Sequence, residues 1–296
     1  MKKIGLFLMG YKGLSCLHSL IKDQKHYLIT AIVSSGDKAV KNDYYKEIND
    51  LCKQHNICFY HRSKYTANAL DIIIAISWRW IIKTNQGIVV IVFHDSLLPA
   101  YRGFAPLVSS LINGEKKLGV TALFASAEYD KGDIIMQQHI NVEYPLKIEN
   151  AIEKISYCYN SILKRLISSI ESDSVLTSFA QDEKMATYSL WLDEKDYIIK
   201  WHHSAEIIKR FIDSVGYPYN GATAFLNGEK IKICEAEAEG DVVIENRVPG
   251  KVIFMKEQYP VVVCGTGLLK IIKAENEKGQ SIFPLKNFRS RFTYDI

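Results

Sequence analysis

Apolar residues in the first part of the chain fall into short unbroken runs instead of alternating with polar ones. The runs at 3–9, 27–34, 71–76 and 88–93 are apolar on both faces, the pattern of strands buried in a sheet that is covered on both sides. Segments 14–20 and 44–55 between them carry helical spacing, and a helix at 105–112 is followed by strands at 119–125 and 133–142. Strands alternating with helices predict an α/β domain built on an open, parallel, Rossmann-like sheet. At 147–169, Ile148, Ile152, Ile155, Tyr159, Ile162 and Leu166 recur every three or four positions. That spacing makes one buried stripe on a long helix, which closes the domain.

The pattern then changes. Residues 181–201 are polar and aromatic, 204–214 read as a helix, and beyond Asn220 short strands are punctuated by Asn227-Gly228, Pro249-Gly250 and Gly265 to Gly267. Strands this short and regular predict a small β-rich, OB-like half-barrel. The expected organisation is therefore a domain at 1–180, a linker at 181–205 and a second domain at 206–296.

Composition narrows the class. The 296 residues are 48% hydrophobic and 24% charged, which suits a folded chain and not a disordered one. Lys plus Arg total 37 against 33 Asp plus Glu, and the net charge of +4 is spread without a basic stripe, so nucleic-acid binding is not indicated. The basic-looking stretch 38–46 also carries Asp43 and reads as a solvated helix face. Cys16, Cys52, Cys58, Cys158, Cys234 and Cys264 have no CxxC or Cys/His spacing, so no metal is expected and isolated thiols are. The apolar run near the N-terminus is too short for a signal peptide and nothing approaches a membrane span. A cytoplasmic protein away from membranes is the expectation.

Two segments can carry chemistry. Residues 93–103 read Phe-His-Asp-Ser-Leu-Leu-Pro-Ala-Tyr-Arg-Gly directly after an apolar strand. In open parallel sheets ligands bind beyond the carboxyl ends of the strands, so His94 is placed either for catalysis or to cap the strand through a backbone hydrogen bond. Residues 128–135 read Glu-Tyr-Asp-Lys-Gly-Asp-Ile-Ile. There Asp130 can orient an imidazole or accept a proton, or it can bond its own backbone in an Asp-x-Gly turn with Gly132 at positive φ.

The run SLLPxYRG followed by DxGxII resembles the formyltransferase family, which includes methionyl-tRNA formyltransferase, glycinamide ribonucleotide transformylase and the bacterial sugar N-formyltransferases. Trp78-Arg79-Trp80, Asn113-Gly114-Glu115 before Gly119-Val120-Thr121, and the turn from Tyr217 to Ala222 extend the likeness along the chain. The resemblance implies a catalytic pair, His94 and Asp130, with 10-formyltetrahydrofolate as formyl donor. It also implies that Trp78, Arg79, Trp80, Leu97, Tyr129 and Asp130 lie near the folate. The family's catalytic Asn two positions before the His is here Val92. Three readings follow: His94 stabilises the oxyanion alone; Ser96, Asp95 through water, or a backbone N–H replaces the amide; or the chain is a catalytically weak folate- or nucleotide-binding homologue.

For the acceptor, the aromatic stretch 188–197 with Trp201 resembles the linker of the sugar N-formyltransferases, implying a primary amine on a nucleotide-linked amino sugar. On that resemblance Arg102, Gly103, Trp191, Tyr217, Tyr219 and Asn220 would touch the substrate, with Arg102 either binding a phosphate or pairing with an acidic group. Methionyl-tRNA is the alternative acceptor. Sugar formyltransferases are often dimers, and a homodimer is an open expectation.

Overall fold

The structure is a computed structural model and describes residues 2–66, 70–84 and 87–294. Two compact units emerge: Met1–Leu107, Lys116–Val142 and Asn150–Leu190 form the first, and Val108–Glu115, Glu143–Glu149 and Trp191–Ile296 the second.

In chain order the elements are β1 (Ile4–Leu8), α1 (Gly10–Lys22), β2 (Ile29–Ser34), α2 (Tyr45–Gln54), β3 (Phe59–His61), β4 (Ile72–Ile76), β5 (Val89–His94), β6 (Arg102–Gly103), α3 (Pro106–Asn113), β7 (Lys117–Phe124), β8 (Ile134–Asn141), α4 (Ile148–Glu171) and β9 (Tyr188–Ser189). A seven-stranded sheet runs β3-β2-β1-β4-β5-β7-β8. The first five strands are parallel, while β7 pairs antiparallel to β5 and β8 antiparallel to β7. Five strands are thus parallel, as the apolar runs predict, and β7 runs against its neighbours on both sides. The turn joining β7 to β8 is far too short for the crossover that a parallel pair requires.

The helical stripe of α4 is buried as its spacing predicts, with Ile155, Ile162 and Leu166 at 0% exposure. The Phe93 ring lies 5.5 Å from that of Tyr159 on α4. Because side chains alternate along a strand, Val92 and His94 point to the opposite sheet face. There Phe7, Val33, Leu70, Ile73 and Ala75 form a second core cluster with Trp78 and Val92 packed on it.

Segment 181–190, expected in a linker, lies with the first unit. β9 pairs in parallel with β6, and backbone bonds from Thr187 N–H to Pro99 O and from Phe104 N–H to Ser189 O stitch this strap to the loop after β5.

The second unit contains α5 (Ala205–Val215), β10 (Ala222–Leu226), β11 (Glu229–Glu239), β12 (Val252–Lys256), β13 (Tyr259–Val263), β14 (Leu268–Asn276) and β15 (Phe292–Thr293). Its antiparallel sheet has the order β12-β13-β14-β11-β10-β15, a curled half-barrel as the short strands predict. Ser204 caps α5 by accepting the Ile207 N–H, and Trp201 packs against Phe292 inside the unit.

Among the described residues no helix is long and apolar enough to cross a membrane, and no group of His, Cys, Asp and Glu could hold a metal. The cysteines are free, and burial pushes the Cys52 thiol up to about 12 and that of Cys158 to about 11.

Ile155→Ala opens a cavity beneath α4. Its expected cost is about 2–5 kcal/mol, seen as a lower urea midpoint for the first unit with the m-value unchanged.

Candidate functional site

His94 is the last residue of β5 and is 7% exposed. Its Nε2 lies 2.8 Å from Tyr101 O and its Nδ1 lies 3.4 Å from Asp130 Oδ1. The capping bond that the sequence sets against a catalytic role is thus present on one ring nitrogen, while the other faces a carboxylate. Both nitrogens face acceptor oxygens, and only a doubly protonated imidazole can donate to both. The Nδ1 contact is longer than a hydrogen bond, so Nδ1 is the ring nitrogen left open to a ligand, as a donor when it carries a proton.

Asp130 does not close on its own backbone. Its Oδ2 accepts the Gly103 N–H at 2.9 Å, and Asp130 itself takes the left-handed conformation at φ 56°. Gly132, expected at positive φ, is required for another reason: a Cβ there would sit 1.7 Å from Phe124 O. Gly103 meets both demands, with φ 99° and a hypothetical Cβ 2.6 Å from Ser189 O.

Arg102 is 1% exposed and wholly committed. Nε and Nη2 donate to Gln181 Oε1 at 3.0 and 2.8 Å, and Nη1 and Nη2 donate to Glu183 at 2.9 and 2.8 Å. Of the two roles the sequence allowed, the guanidinium takes the acidic partner, and no donor is turned outward to a phosphate. Gln181 and Glu183 escaped sequence reading because a Gln or Glu in a polar stretch carries no signal of what it bonds.

A second polar cluster lies behind His94. Asp95 Oδ2 meets Lys12 Nζ at 2.5 Å, and Tyr159 donates to Asp95 Oδ1 at 2.6 Å. Burial pushes the Asp95 carboxyl up, but Lys12 and the Tyr159 hydrogen bond outweigh it and hold the pKa below the ordinary aspartate value. Burial, reinforced by Asp95, raises Tyr159 well above a normal phenol.

The groups around position 92 are themselves engaged. Asp95 is engaged by Lys12 and Tyr159, and Ser96 Oγ donates to Ala100 O at 2.6 Å. Thr121 donates to Ser96 O, while Gln137 Nε2 donates to Leu98 O and Thr121 Oγ. These hydroxyls and amide hydrogens are thus engaged, whereas His94 Nδ1 has the 3.4 Å contact with Asp130. Val92 instead bridges two apolar clusters, one around Phe7 and Ala75 and the other formed by Leu98, Leu123 and Ile134.

Further along this sheet face a pocket of about 450 Å³ is lined by residues that include Phe7, Val33, Tyr65 and Trp78, with Arg62 and Lys83 as its cations. Trp78 packs edge-on against Phe7 at 4.9 Å, and the Arg62 guanidinium lies 4.2 Å from the centroid of Trp80. Arg79 pairs with Asp37 at 2.8 Å. Leu97 is half-buried against the backbone at Gly119, and exposed Tyr129 stands 6.3 Å from Phe104, ring to ring. In the second unit Trp191, Tyr217 and Asn220 are exposed and Tyr219 is half-buried.

Residues 61–165 match the formyl transferase family, and residues 192–291 match the formyl transferase C-terminal domain. The chain belongs to the formyl transferase family. His94 and Asp130 both fall inside the first match. Among curated formyl transferases, the methionyl-tRNA formyltransferase of Syntrophomonas wolfei is 30% identical over 201 residues, 68% of this chain. The chain spans 62% of that relative's length. The methionyl-tRNA formyltransferase of Streptococcus suis is 27% identical over 309 residues, 98% of this chain and 96% of the relative. Of solved formyl transferase folds, WlaRD, a sugar 3N-formyl transferase, superposes with a TM-score of 0.67 at 19% identity, covering 92% of this chain and 97% of that one.

Two outcomes test this geometry. Gly132→Ala must push the turn off Phe124 O, and a misplacement on the 1 Å scale is expected to cost on the order of 10² in activity, measured against circular dichroism to show that the fold persists. Lys12→Met removes the cation, so burial then raises the Asp95 pKa. Because the native pair depresses that pKa, its stabilisation is present above the unfolded value and is lost as pH falls through the folded one. The variant should therefore be less stable by up to about 3 kcal/mol at pH 7, with the gap closing towards pH 3 in urea titrations.

Proposed function

We propose that this protein transfers a formyl group from 10-formyltetrahydrofolate to the primary amine of a nucleotide-linked amino sugar. The observation that carries the reading is the His94–Asp130 pair, which brings an imidazole nitrogen and a carboxylate oxygen within 3.4 Å at the end of β5.

The acceptor amine must arrive neutral, since an ammonium has no lone pair. As it attacks the formyl carbon, negative charge develops on the formyl oxygen, where the Nδ1–H of His94 can donate. Asp130 takes the surplus amine proton. Collapse breaks the bond between the formyl carbon and the folate nitrogen; His94, entering as the imidazolium, gives its Nδ1 proton to that leaving nitrogen, and the proton held by Asp130 then restores the imidazolium.

The residues of the aromatic pocket fit the donor's chemistry. Phe7, Tyr65 and Trp78 offer ring faces and edges to a flat heterocycle, while Arg62 and Lys83 suit its carboxylate tail.

The choice of acceptor is supported by charge. Residues 191–296 carry 15 Lys plus Arg and 15 Asp plus Glu. Lysines on the half-barrel are met by acids, as in Lys256–Glu239 at 2.9 Å and Lys273–Glu275 at 3.0 Å. A polyanion such as tRNA is gripped through uncompensated cations. WlaRD, described in the presence of dTDP and 5-N-formyl-THF, is consistent with a sugar-nucleotide acceptor. The second reading is a methionyl-tRNA acceptor, favoured by the names of the curated sequence relatives.

Purified protein assayed with 10-formyltetrahydrofolate and a panel of amino-sugar nucleotides is expected to form N-formyl product. It should bind initiator tRNA weakly, without a steep dependence on salt. Salt-sensitive tRNA binding with formylation of methionyl-tRNA would establish the second reading, and folate binding without turnover on any acceptor would sink both. His94→Asn and Asp130→Asn should each lower turnover by about 10²–10⁴. Val92→Asn, which returns an oxyanion donor beside His94, should raise it by up to about 10²–10³.

A further inference from the structure

We propose that Gln181, on the strap that packs behind the site, is a positioning residue for Asp130; this rests on the reading of His94 and Asp130 as the reacting pair. The Gln181 carboxamide bonds at both ends. Its Nε2 donates to Asp130 O at 2.7 Å and to Gly132 O at 2.8 Å. Its Oε1 accepts both Arg102 donors, and that guanidinium is fixed in turn by two bonds to Glu183.

The turn it grips is one that would not hold itself. Asp130 is a non-glycine residue at φ 56°, a conformation that persists where surrounding contacts over-determine it. Three bonds from two directions do so. The Gln181 amide fixes the carbonyls at 130 and 132, and the Gly103 N–H fixes Asp130 Oδ2. The other carboxylate oxygen is then left facing His94 Nδ1. Arg102 aims the amide: with Oε1 saturated by guanidinium donors, the two hydrogens of Nε2 can point only at the turn.

Two variants separate the ends of this amide. Gln181→Glu keeps oxygens that satisfy Arg102 but has no N–H to give the turn, so it is expected to fold. Gln181→Met keeps the volume and supplies neither function. Both should lower kcat about 10- to 100-fold and leave KM for each substrate within about twofold. In both variants the Gly103 N–H, which donates to Asp130 Oδ2, should also exchange with solvent faster than in the wild type, because the carboxylate that accepts it recedes with the turn.

Wild-type kcat in Gln181→Glu would overturn the proposal, since satisfying Arg102 would then be all that the residue does. Unchanged exchange of the Gly103 amide in folded Gln181→Met would overturn it as well. Failure of the formyl-transfer reading looks different: the wild-type protein itself shows no turnover, and the exchange of that amide still decides whether Gln181 holds the Asp130 turn.

Discussion

An imidazole on one strand and a carboxylate on the turn after the next face each other here because the chain passes Phe124 O more closely than any side chain would allow. Gly132 is the residue that permits the approach. Once the turn is drawn in, Asp130 must adopt a left-handed backbone, and the neighbouring elements compensate by bonding it. Gly103 N–H takes one carboxylate oxygen and the strap takes the carbonyls. The site is thus a consequence of backbone clearance first and of side-chain chemistry second.

Buried charge reinforces that geometry from both sides of the sheet. Arg102 is buried with four hydrogen bonds to two partners, and Asp95 is held by a cation from α1 and a phenol from α4. Such groups are costly unless fully bonded. Each therefore tolerates few alternative arrangements of the elements it joins. Residues 94 and 95 look in opposite directions from one strand end, so the loop that follows β5 is anchored through both faces.

Much of the fold was legible in the sequence because periodicity reports burial directly. The apolar runs of β1, β2, β4 and β5, the stripe on α4 and the short strands of the half-barrel all stand where their patterns put them. His94 and Asp130 could be singled out because their motifs are long and ordered, and the structure brings them together. Strand direction is different, since a buried strand reads alike whether parallel or antiparallel, and β7 and β8 betray themselves only through the short turn between them. The strap reads as a linker in the sequence because its value lies in backbone pairing and in the polar ends of Gln181 and Glu183, neither of which leaves a hydrophobic trace. Lys12, in the first turn of the helix that follows β1, meets Asp95, just past β5, although β4 separates those two strands in the sheet, a proximity no local pattern encodes.

Val92 carries a consequence of its own. Its methyl groups join the cluster around Phe7 and Ala75 to that of Leu98, Leu123 and Ile134, so cohesion of the sheet face passes through the position where the sequence resemblance leads one to expect an amide. An amide there must either find a partner or forfeit about 1–3 kcal/mol of desolvation. The same atoms cannot serve as mortar between two apolar patches and as a wetted donor to a ligand. Position 92 is thus a point of compromise, at which this chain has chosen a tighter wall over a better-furnished cavity.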